Sequence, residues 1–448
     1  MATDCIPQLT FTCYPRTKAV ARFDQTQAST DGGGVRLKAL DDCLQLTDKL
    51  AACLPDRRDP DNVRHAVRDL LRQRIFGLAC GYEDGNDAAR LIDDPLHKLA
   101  VGRDPVTGDA LASQPTLSRF ENAASPRALY RMGRMLASTV IAQHRHRLKG
   151  RAQRITIDLD PTDDPTHGQQ ELAFFNGHYD TWCYLPLVAT LTFNDEAEQY
   201  LVAIVLRPGN SPAKHGAFGL LRTLRRQLRR AFPCTPVRVR VDGGFAGNDW
   251  LDFLEAERVE YVVGLANNPR LARHAGRLLG EAYGLSKYSG RTEHVYGETL
   301  YAAQSWSHRR HVSIKAEVVR RSGHEPKCNP RFVVTNLREA PAAVYAIYCQ
   351  RGEMENRLKE LHHGLALDRT SCSRFWANQF RVLLQALRQQ AHGTDCATAQ
   401  VSTLRERLLK LAVWVERSVR RIVLHLPRSA PWRTTWHRVA VAVGAVPG

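Results

Sequence analysis

The chain has 448 residues, 43% of them hydrophobic, which is enough for two or three domains with sizeable cores. Lys and Arg number 63 against 46 Asp and Glu, giving a formal net charge of +17, and this excess predicts a polyanionic partner such as nucleic acid. No stretch approaches the run of about 18 apolar residues that spans a bilayer, and the first residues do not resemble a secretory signal. We therefore expect a cytoplasmic, nucleoid-associated protein.

The first third of the chain is predicted to be helical after a short lead-in. Residues 1–36 are mixed in character and contain Asp31-Gly32-Gly33-Gly34, so we expect them to be flexible. In residues 37–150 the pattern is helical, and residues 113–121 are typical of a short capped helix. Between the apolar positions of residues 61–78 lie four arginines: Arg64, Arg68, Arg72 and Arg74. A helix-turn-helix that binds DNA and a plain amphipathic bundle both fit this region, and we expect DNA binding.

A sheet begins at residue 155, where the pattern changes to period two. Residues 155–160 alternate and end in Asp160, and residues 237–242 form a later strand that ends in Asp242. The other elements are strands at 184–193, 200–206 and 261–265 and helices at 214–232 and 249–257. Three strands followed by helix, strand, helix and strand are the order of a ribonuclease-H-like α/β fold, a mixed sheet with flanking helices.

More than one hundred positions separate Asp242 from the next acidic helix, far more than a loop in a compact domain needs. Residues 267–339 are therefore predicted to be an inserted, largely β subdomain, with a helix at 269–282 and strands at 311–318 and 331–335. The ribonuclease-H-like core would then consist of residues 151–266 and 340–395, and residues 396–448 would form a basic C-terminal helical region.

Three acidic residues occupy positions that suit a metal site. Asp160 and Asp242 end strands, where side chains of an α/β sheet project into the ligand crevice, and Glu355 lies on a helix beyond the insert. Phosphodiester chemistry uses two divalent ions about 4 Å apart, held by carboxylates. We therefore predict that the three acids bind Mg²⁺, for which Mn²⁺ can substitute. Asp158 shares the strand face of Asp160 and is the alternative first ligand.

The helix predicted around residues 348–362 carries a regular set of polar residues. Intervals of three, four, four and three residues place five side chains on one helix face: Tyr348, Arg351, Glu355, Lys359 and His362. A surface salt-bridge ladder explains the charged members but not the Tyr and His at the two ends. An acid flanked by cationic and aromatic groups suits a clamp on a DNA end, so we predict DNA contacts for the other four.

Two further basic regions have two explanations each. The helix at 214–232 has leucines on one face and arginines on the other: Arg222, Arg225, Arg226, Arg229 and Arg230. Direct DNA contact and a solvated helix that covers the sheet explain it equally well. In the insert, Trp306 beside Arg309 and Arg310 could stack on an unpaired base near the cut, or could be a half-buried core residue.

These motifs resemble the insertion-sequence transposases of the IS-four superfamily, and within it the thirteen-eighty family. That family's helix pattern is Tyr, two residues, Arg, three residues, Glu, six residues and Lys. Tyr348, Arg351 and Glu355 match it, and His362 stands at the Lys position. The family's catalytic aspartates lie in Asp-x-Thr and Asp-x-Gly-Phe contexts, which Asp160-Pro161-Thr162 and Asp242-Gly243-Gly244-Phe245 match. The resemblance covers about residues 110–395.

The resemblance implies a DDE transposase with Asp160, Asp242 and Glu355 as catalytic and metal-binding residues. Such an enzyme binds the terminal inverted repeats of its element, as double-stranded DNA, and catalyses metal-dependent strand cleavage and strand transfer. Joining two ends suggests a homodimer on DNA. The alternatives are a ribonuclease-H-like nuclease that only hydrolyses, and a DNA-binding protein with a decayed catalytic domain, against which the three retained acids argue.

Overall fold

The computed structural model describes residues 8–12, 17–359, 362, 370–390 and 401–446. The α-helices of this part of the chain are α1 (Val35–Leu44), α2 (Leu46–Ala51), α3 (Val67–Cys80), α4 (Asp87–Arg90), α5 (Pro95–Val101), α6 (Gln114–Asn122), α7 (Pro126–Arg147), α8 (Ala217–Ala231), α9 (Asn248–Ala256), α10 (Pro269–Ser289), α11 (Pro341–Cys349), α12 (Gly352–Lys359), α13 (Phe375–Gln390), α14 (Val401–Leu404) and α15 (Arg433–Ala442). None of these described helices is long and apolar enough to cross a membrane.

The strands are mostly short and cluster between residues 155 and 335. They are β1 (Gln8–Phe11), β2 (Ala19–Arg22), β3 (Ala28–Ser29), β4 (Ile155–Pro161), β5 (Asp164–Pro165), β6 (Phe174–Asn176), β7 (Thr181–Tyr184), β8 (Leu187–Phe193), β9 (Tyr200–Val205), β10 (Val237–Val241), β11 (Glu260–Leu265), β12 (Glu293–Tyr301), β13 (Arg310–Val319), β14 (Lys327–Cys328), β15 (Arg331–Thr335), β16 (Val413–Arg417) and β17 (Ile422–His425).

The chain forms two compact units, and their boundary differs from the predicted one. One unit consists of Met1–Glu121 and Ala391–Gly448, and the other of Asn122–Gln390. Helix α7, expected to belong to the N-terminal helical region, lies in the second unit because Ala137, Val140 and Ile141 are buried in the same core as the strands. The C-terminal region, expected to be separate, belongs to the first unit.

The second unit is built on one mixed sheet with the strand order β12-β13-β15-β11-β10-β4-β8-β9, and β14 pairs with β13. Strands β4, β10 and β11 run parallel to one another. The other neighbours in this order are antiparallel. A mixed sheet with flanking helices confirms the α/β prediction and is compatible with a DDE nuclease fold.

The predicted insert does not form a β subdomain of its own. Strand β15 pairs with β11, with Val334 beside Val263, and β13 and β12 continue the same sheet outward. Phe332 and Val334 are buried in the main core, while Val333 is buried on the opposite face. A strand that is apolar on both faces needs cover on both faces, and in the central sheet β15 has the main core on one face and Val344 of α11 on the other.

Alternation along β4 separates an apolar face of the sheet from a polar one. Ile155, Ile157 and Leu159 point into the core that contains the buried residues of α7, α8 and α9. Asp158 and Asp160 therefore point to the opposite face. On that opposite face Val344 of α11 packs against the sheet. The strand-end acids thus lie on the side of the sheet where the chain beyond the insert returns.

A histidine of α7 is buried in the main core in its neutral form. The His144 ring stacks on Phe193 with 4.4 Å between ring centroids and lies 4.1 Å from the ring of Tyr200. Its Nδ1 accepts a hydrogen bond from Nε of Arg147 at 3.1 Å. Burial lowers the pKa of His144 to about 4, and the positive charge of Arg147 acts in the same direction.

This histidine should make the protein sensitive to mild acid. The pKa of His144 in the folded protein lies below that of an unfolded histidine, so the unfolded chain binds the proton first and stability falls as pH drops from about 6.5 to about 4. We expect a loss of up to about 3 kcal/mol in the free energy of unfolding at pH 4 from this residue. Urea unfolding at several pH values should show a flatter profile for His144→Phe, and an identical profile would contradict the assignment.

In the first unit, two of the four arginines singled out in residues 61–78 are buried rather than available to DNA. On α3, Arg72 pairs with Asp41 at 3.0 Å and Arg74 pairs with Glu121 at 2.7 Å. Arg64 and Arg68 are exposed. The interleaved arginines therefore serve in part as internal ion pairs that join the helices of this unit, which weakens the argument for DNA contact that rests on them.

The two ends of the chain contain strands where none was predicted. The expected helical region after residue 396 includes an antiparallel pair, β16 with β17, and β16 also pairs with β3 of the expected flexible lead-in. Strands β1 and β2 pair with each other within that lead-in. In β16, Val413 and Val415 are buried while Trp414 is exposed, which is strand alternation within a segment expected to be helical.

A candidate active site of three carboxylates

Asp160 and Asp242 lie side by side at the ends of two parallel strands. Strands β4 and β10 pair with Asp158 opposite Arg240, so the same register places Asp242 next to Asp160. Neighbouring strands are about 4.8 Å apart. The backbone turns sharply after Asp242, whose carboxylate accepts a hydrogen bond from the amide of Gly244 at 3.0 Å. The two strand-end acids predicted from sequence are therefore brought together by the sheet.

The predicted single helix that carries Glu355 is broken into two. Tyr348 lies in α11, Arg351 lies in the turn, and Glu355 and Lys359 lie in α12. Gly352 begins α12, and glycine is among the weakest helix formers. The prediction that five residues share one continuous helix face is therefore wrong, although Arg351 and Glu355 still contact each other across the break.

Arg351 connects two of the three acids. Its Nη1 lies 2.9 Å from Oδ2 of Asp160, and its Nη2 lies 3.1 Å from Oε1 of Glu355. The side chains of Arg351 and Asp160 are 17% and 11% exposed, while that of Glu355 is 55% exposed. One partly buried guanidinium thus pairs with both the helix carboxylate and the strand-end carboxylate.

Negative charge accumulates around Asp160. Burial raises the pKa of Asp160 to about 7. That value includes the charge of Arg351, which lowers the pKa, and the charges of Asp242 and Glu355, which raise it. The pKa of the Tyr348 phenol is also raised, mainly by burial and in part by the charge of Asp242. The three acids therefore share one electrostatic environment that needs a cation.

This environment fits a divalent metal ion in its donor chemistry. Carboxylate oxygens are the ligands that Mg²⁺ and Mn²⁺ prefer, and the buried Asp160 carboxyl is destabilised as an anion by burial and by its acidic neighbours. The oxygens of the three acids do not all lie within 4.8 Å of one another in the described structure. Arg351 lies between two of them and supplies the positive charge.

Two other groups of possible metal ligands occur in the part of the chain that the structure describes. Asp31, Cys80 and His97 form one in the first unit, where Asp31 is already bonded to His97 at 2.9 Å and to Lys410 at 2.7 Å. Asp252, Glu255 and His308 form the other, and Arg310 pairs with both of its acids. In both groups a cationic side chain already neutralises the carboxylates.

Asp158, the alternative first ligand, has a different environment. Its carboxylate forms a two-pronged ion pair with Arg240, with distances of 2.6 Å and 2.9 Å, and both side chains are almost fully buried. The third nitrogen of Arg240 donates to the carbonyl of Ile347 at 2.8 Å and to Oε1 of Gln350 at 3.0 Å. Asp158 is therefore engaged in fastening the sheet to the end of α11 and the turn that holds Arg351.

Sequence reasoning missed two residues that position this site. Arg240 is one, and its only signal was a charged residue within a strand of valines, Val237–Val241. Gly264 is the other: the Tyr348 side chain lies so close to its backbone that a Cβ would collide with the phenol, whose Cζ would be only 3.1 Å away. A glycine within a buried strand signals such a close approach.

The remaining predicted DNA-contact residues have mixed outcomes. Lys359 is exposed at the end of α12, and Nε2 of His362 lies 2.9 Å from the hydroxyl of Thr162, two residues after Asp160. Trp306 is only 8% exposed and packs in the main core, with its ring 5.5 Å from Tyr301 and under the guanidinium of Arg310. Of the two roles open to Trp306, the structure supports the core residue rather than stacking on DNA, because the ring is covered by protein.

Comparison with known proteins identifies the family. The model of the transposase DDE domain, group 1, matches residues 11–446. None of the curated proteins compared with the chain matches it. A DDE domain is compatible with the acidic site described above, in which Arg351 pairs with Asp160 and Glu355 and the charge of Asp242 acts on Asp160. Since the match extends over nearly the whole chain, the protein belongs to the family of transposases with a DDE domain of group 1.

Proposed function

We propose that this transposase cuts DNA at the ends of its own insertion sequence and joins the freed 3′ ends to a target. The observation that carries the proposal is the convergence of the acids, with Arg351 bonded to Asp160 and Glu355 and with Asp242 at the end of the neighbouring strand. The strand order around β4 supports a ribonuclease-H-like core: β4, β8 and β9 pair antiparallel in succession on one side, and β10 and β11 run parallel to β4 on the other.

In this proposal Asp160, Asp242 and Glu355 hold Mg²⁺, or Mn²⁺ in its place. The ions supply activation of the attacking oxygen and stabilisation of the leaving oxygen. Arg351 and Lys359 hold the phosphates next to the bond that is cut, and the Tyr348 phenol, packed on Gly264, bounds the site. Because Arg351 neutralises Asp160 and Glu355, a bound phosphate competes with these acids for its guanidinium.

Recognition of the element ends is proposed for the first unit, whose exposed cations include Arg64 and Arg68 on either side of the start of α3. The motifs that match the IS-four superfamily and its thirteen-eighty family support terminal inverted repeats as the binding sites. Joining two ends in one reaction supports a homodimer on DNA. A net charge of +17 is consistent with such a partner.

The proposal is tested with the full chain and duplex DNA that carries the sequences flanking its gene. In the presence of Mg²⁺ we expect two products, a nick or break at the element end and a joined molecule after a target plasmid is added, and we expect neither with a scrambled end. Gel separation of labelled strands measures both products.

The outcome separates the two enzymatic hypotheses. Cleavage at defined ends with joining supports the transposase. Cleavage of all duplexes with no joined product, in either Mg²⁺ or Mn²⁺, would replace it with the nuclease that only hydrolyses.

A further inference from the structure

Helices α7 and α8 run side by side, and both end near the starts of β4 and β10. This is the end of the two strands opposite to the catalytic acids. The starts of α7 and α8 lie together, since Leu129 and Gly133 line one cleft with Gly216 and Leu220. Farther along, Gln227 donates hydrogen bonds to the carbonyl of Arg134 and to Ser138, both at 3.2 Å.

Strands β4 and β10, which follow α7 and α8 in the chain, begin close to each other. The amide of Ile155, the first residue of β4, bonds to the carbonyl of Pro236 just before β10 at 3.1 Å. The hydroxyl of Thr235 donates to the carbonyl of Ala152 at 2.9 Å. Asp160 and Asp242 lie at the other ends of these strands, about 17 Å away at about 3.3 Å per residue.

The ends of the two helices carry a cluster of exposed cations that we name the remote basic surface. Its members are Arg145, Lys149, Arg151, Arg226, Arg229 and Arg230. Within the described part of the chain, none of these six side chains forms an ion pair with a carboxylate, whereas Arg147 pairs with Glu196 and Arg225 with Glu257. Glu196 and Glu257 are therefore neutralised by other arginines, and the six charges remain available.

Stabilising interactions between cations and the negative ends of the helix dipoles do not account for all six cations. The C-terminus of a helix carries about half a negative charge, which one cation in the last turn balances. Two helices therefore account for about two of the six cations. Arg226 lies more than one turn before the end of α8, and Lys149 and Arg151 lie beyond the end of α7. The excess charge has a surface distribution suited to the spaced phosphates of a nucleic acid backbone.

We propose that the remote basic surface binds the phosphates of duplex DNA that lies away from the bond being cut, either farther along the same duplex or in a second one. The partner class rests on the proposed function, in which duplex DNA is the substrate. At about 3.4 Å per base pair, 17 Å corresponds to about five base pairs, so this contact is separate from the phosphates held beside Glu355. The surface adds affinity that does not depend on base sequence.

The test replaces Arg226, Arg229 and Arg230 with Gln in the full chain and measures binding to a labelled 40-base-pair duplex by fluorescence anisotropy between about 50 and 200 mM salt. Each lost phosphate contact lowers the slope of log affinity against log salt by about 0.9. Three contacts therefore remove about 2.7 from the slope, so across this range the parent should lose about 40-fold more affinity than the variant.

Two control variants accompany the triple variant. Arg226, Arg229 and Arg230 changed to Lys keep the charge and should retain most of the slope. Arg225→Gln with Glu257→Gln removes an existing ion pair between α8 and the residue that follows α9 without changing net charge; because Glu257 also pairs with Arg222, the slope should change by at most one contact. An unaltered slope in the Gln variant, with parental cleavage intact, would overturn the proposal for this surface alone. Absence of any binding by the parent would contradict the proposed function as well.

Discussion

Asp160→Asn, Asp242→Asn and Glu355→Gln should each lower DNA strand cleavage by about three orders of magnitude or more, with DNA affinity within a few fold of the parent. An amide keeps the shape and the hydrogen bonding of the acid but loses the charge that holds a divalent ion. The expected losses are similar because Asp160 lies beside Asp242 in the sheet and shares Arg351 with Glu355. Cleavage is measured on a labelled duplex with Mg²⁺, with Mn²⁺ and with a chelator.

Glu353→Gln is the matched control, since Glu353 is an exposed acid on the same short helix as Glu355. It should cleave at close to the parental rate. Asp158→Asn is unsuitable as a neutral control because it would leave the buried Arg240 without its anionic partner. Retention of more than a few per cent of cleavage by Glu355→Gln, or cleavage that survives chelation, would exclude Glu355 from the metal site.

The strands and helices of the second unit were largely predictable because each is long enough to show the hydrophobic periodicity of a strand or of a helix. Residues 155–160 and 237–242, predicted as strands, correspond to β4 and β10, and the helix predicted at 249–257 corresponds to α9. Which strands pair with one another could not be predicted in the same way. The strands predicted at 311–318 and 331–335 correspond to β13 and β15, whereas β12 was not predicted. Whether these strands form their own sheet or extend the central one depends on the free edge of β11, which periodicity does not report.

The acids of the candidate site were predictable from strand ends and motif spacing, whereas their setting was not. The regular spacing from Tyr348 to His362 suggested one helix, but a spacing pattern does not reveal that the helix breaks before Gly352. Trp306 shows the same limit, since an aromatic residue beside arginines is equally typical of a stacking site and of a buried ring with a guanidinium above it. Burial depends on tertiary contacts that neighbouring residues do not encode.

Charged residues that interrupt a periodic pattern of apolar residues were the most difficult to interpret. Arg72, Arg74 and Arg240 each interrupt an apolar pattern, and each was weighed as surface charge or left unassigned. All three are buried and paired with Asp41, Glu121 and Asp158, partners that lie between 31 and 82 positions away in the chain. An ion pair of this kind is visible only when both partners are placed in space.

Arg240→Met should destabilise the second unit by about 3–5 kcal/mol, because it leaves the carboxylate of Asp158 buried without a partner. It should also lower cleavage in the fraction that remains folded. Arg240 holds the carbonyl of Ile347 and the side chain of Gln350, so its loss frees the turn from which Arg351 reaches Asp160 and Glu355. Urea unfolding measures the first effect, and cleavage rate per folded molecule measures the second.

Two further variants separate stability from positioning. Asp158→Leu combined with Arg240→Met removes both charges, so most of the stability should return, since an apolar pair of similar volume is often as stable as a buried ion pair. Cleavage should stay low, because the contacts to Ile347 and Gln350 are still missing. Arg238→Met is the strand-matched control, because Arg238 is buried near Glu260 at the end of β10 remote from Asp242. This substitution should lower the free energy of unfolding and leave the cleavage rate per folded molecule unchanged. Equal cleavage per folded molecule in the double variant and the parent would reduce the Asp158–Arg240 pair to a stabilising contact with no role in holding Arg351 and Glu355.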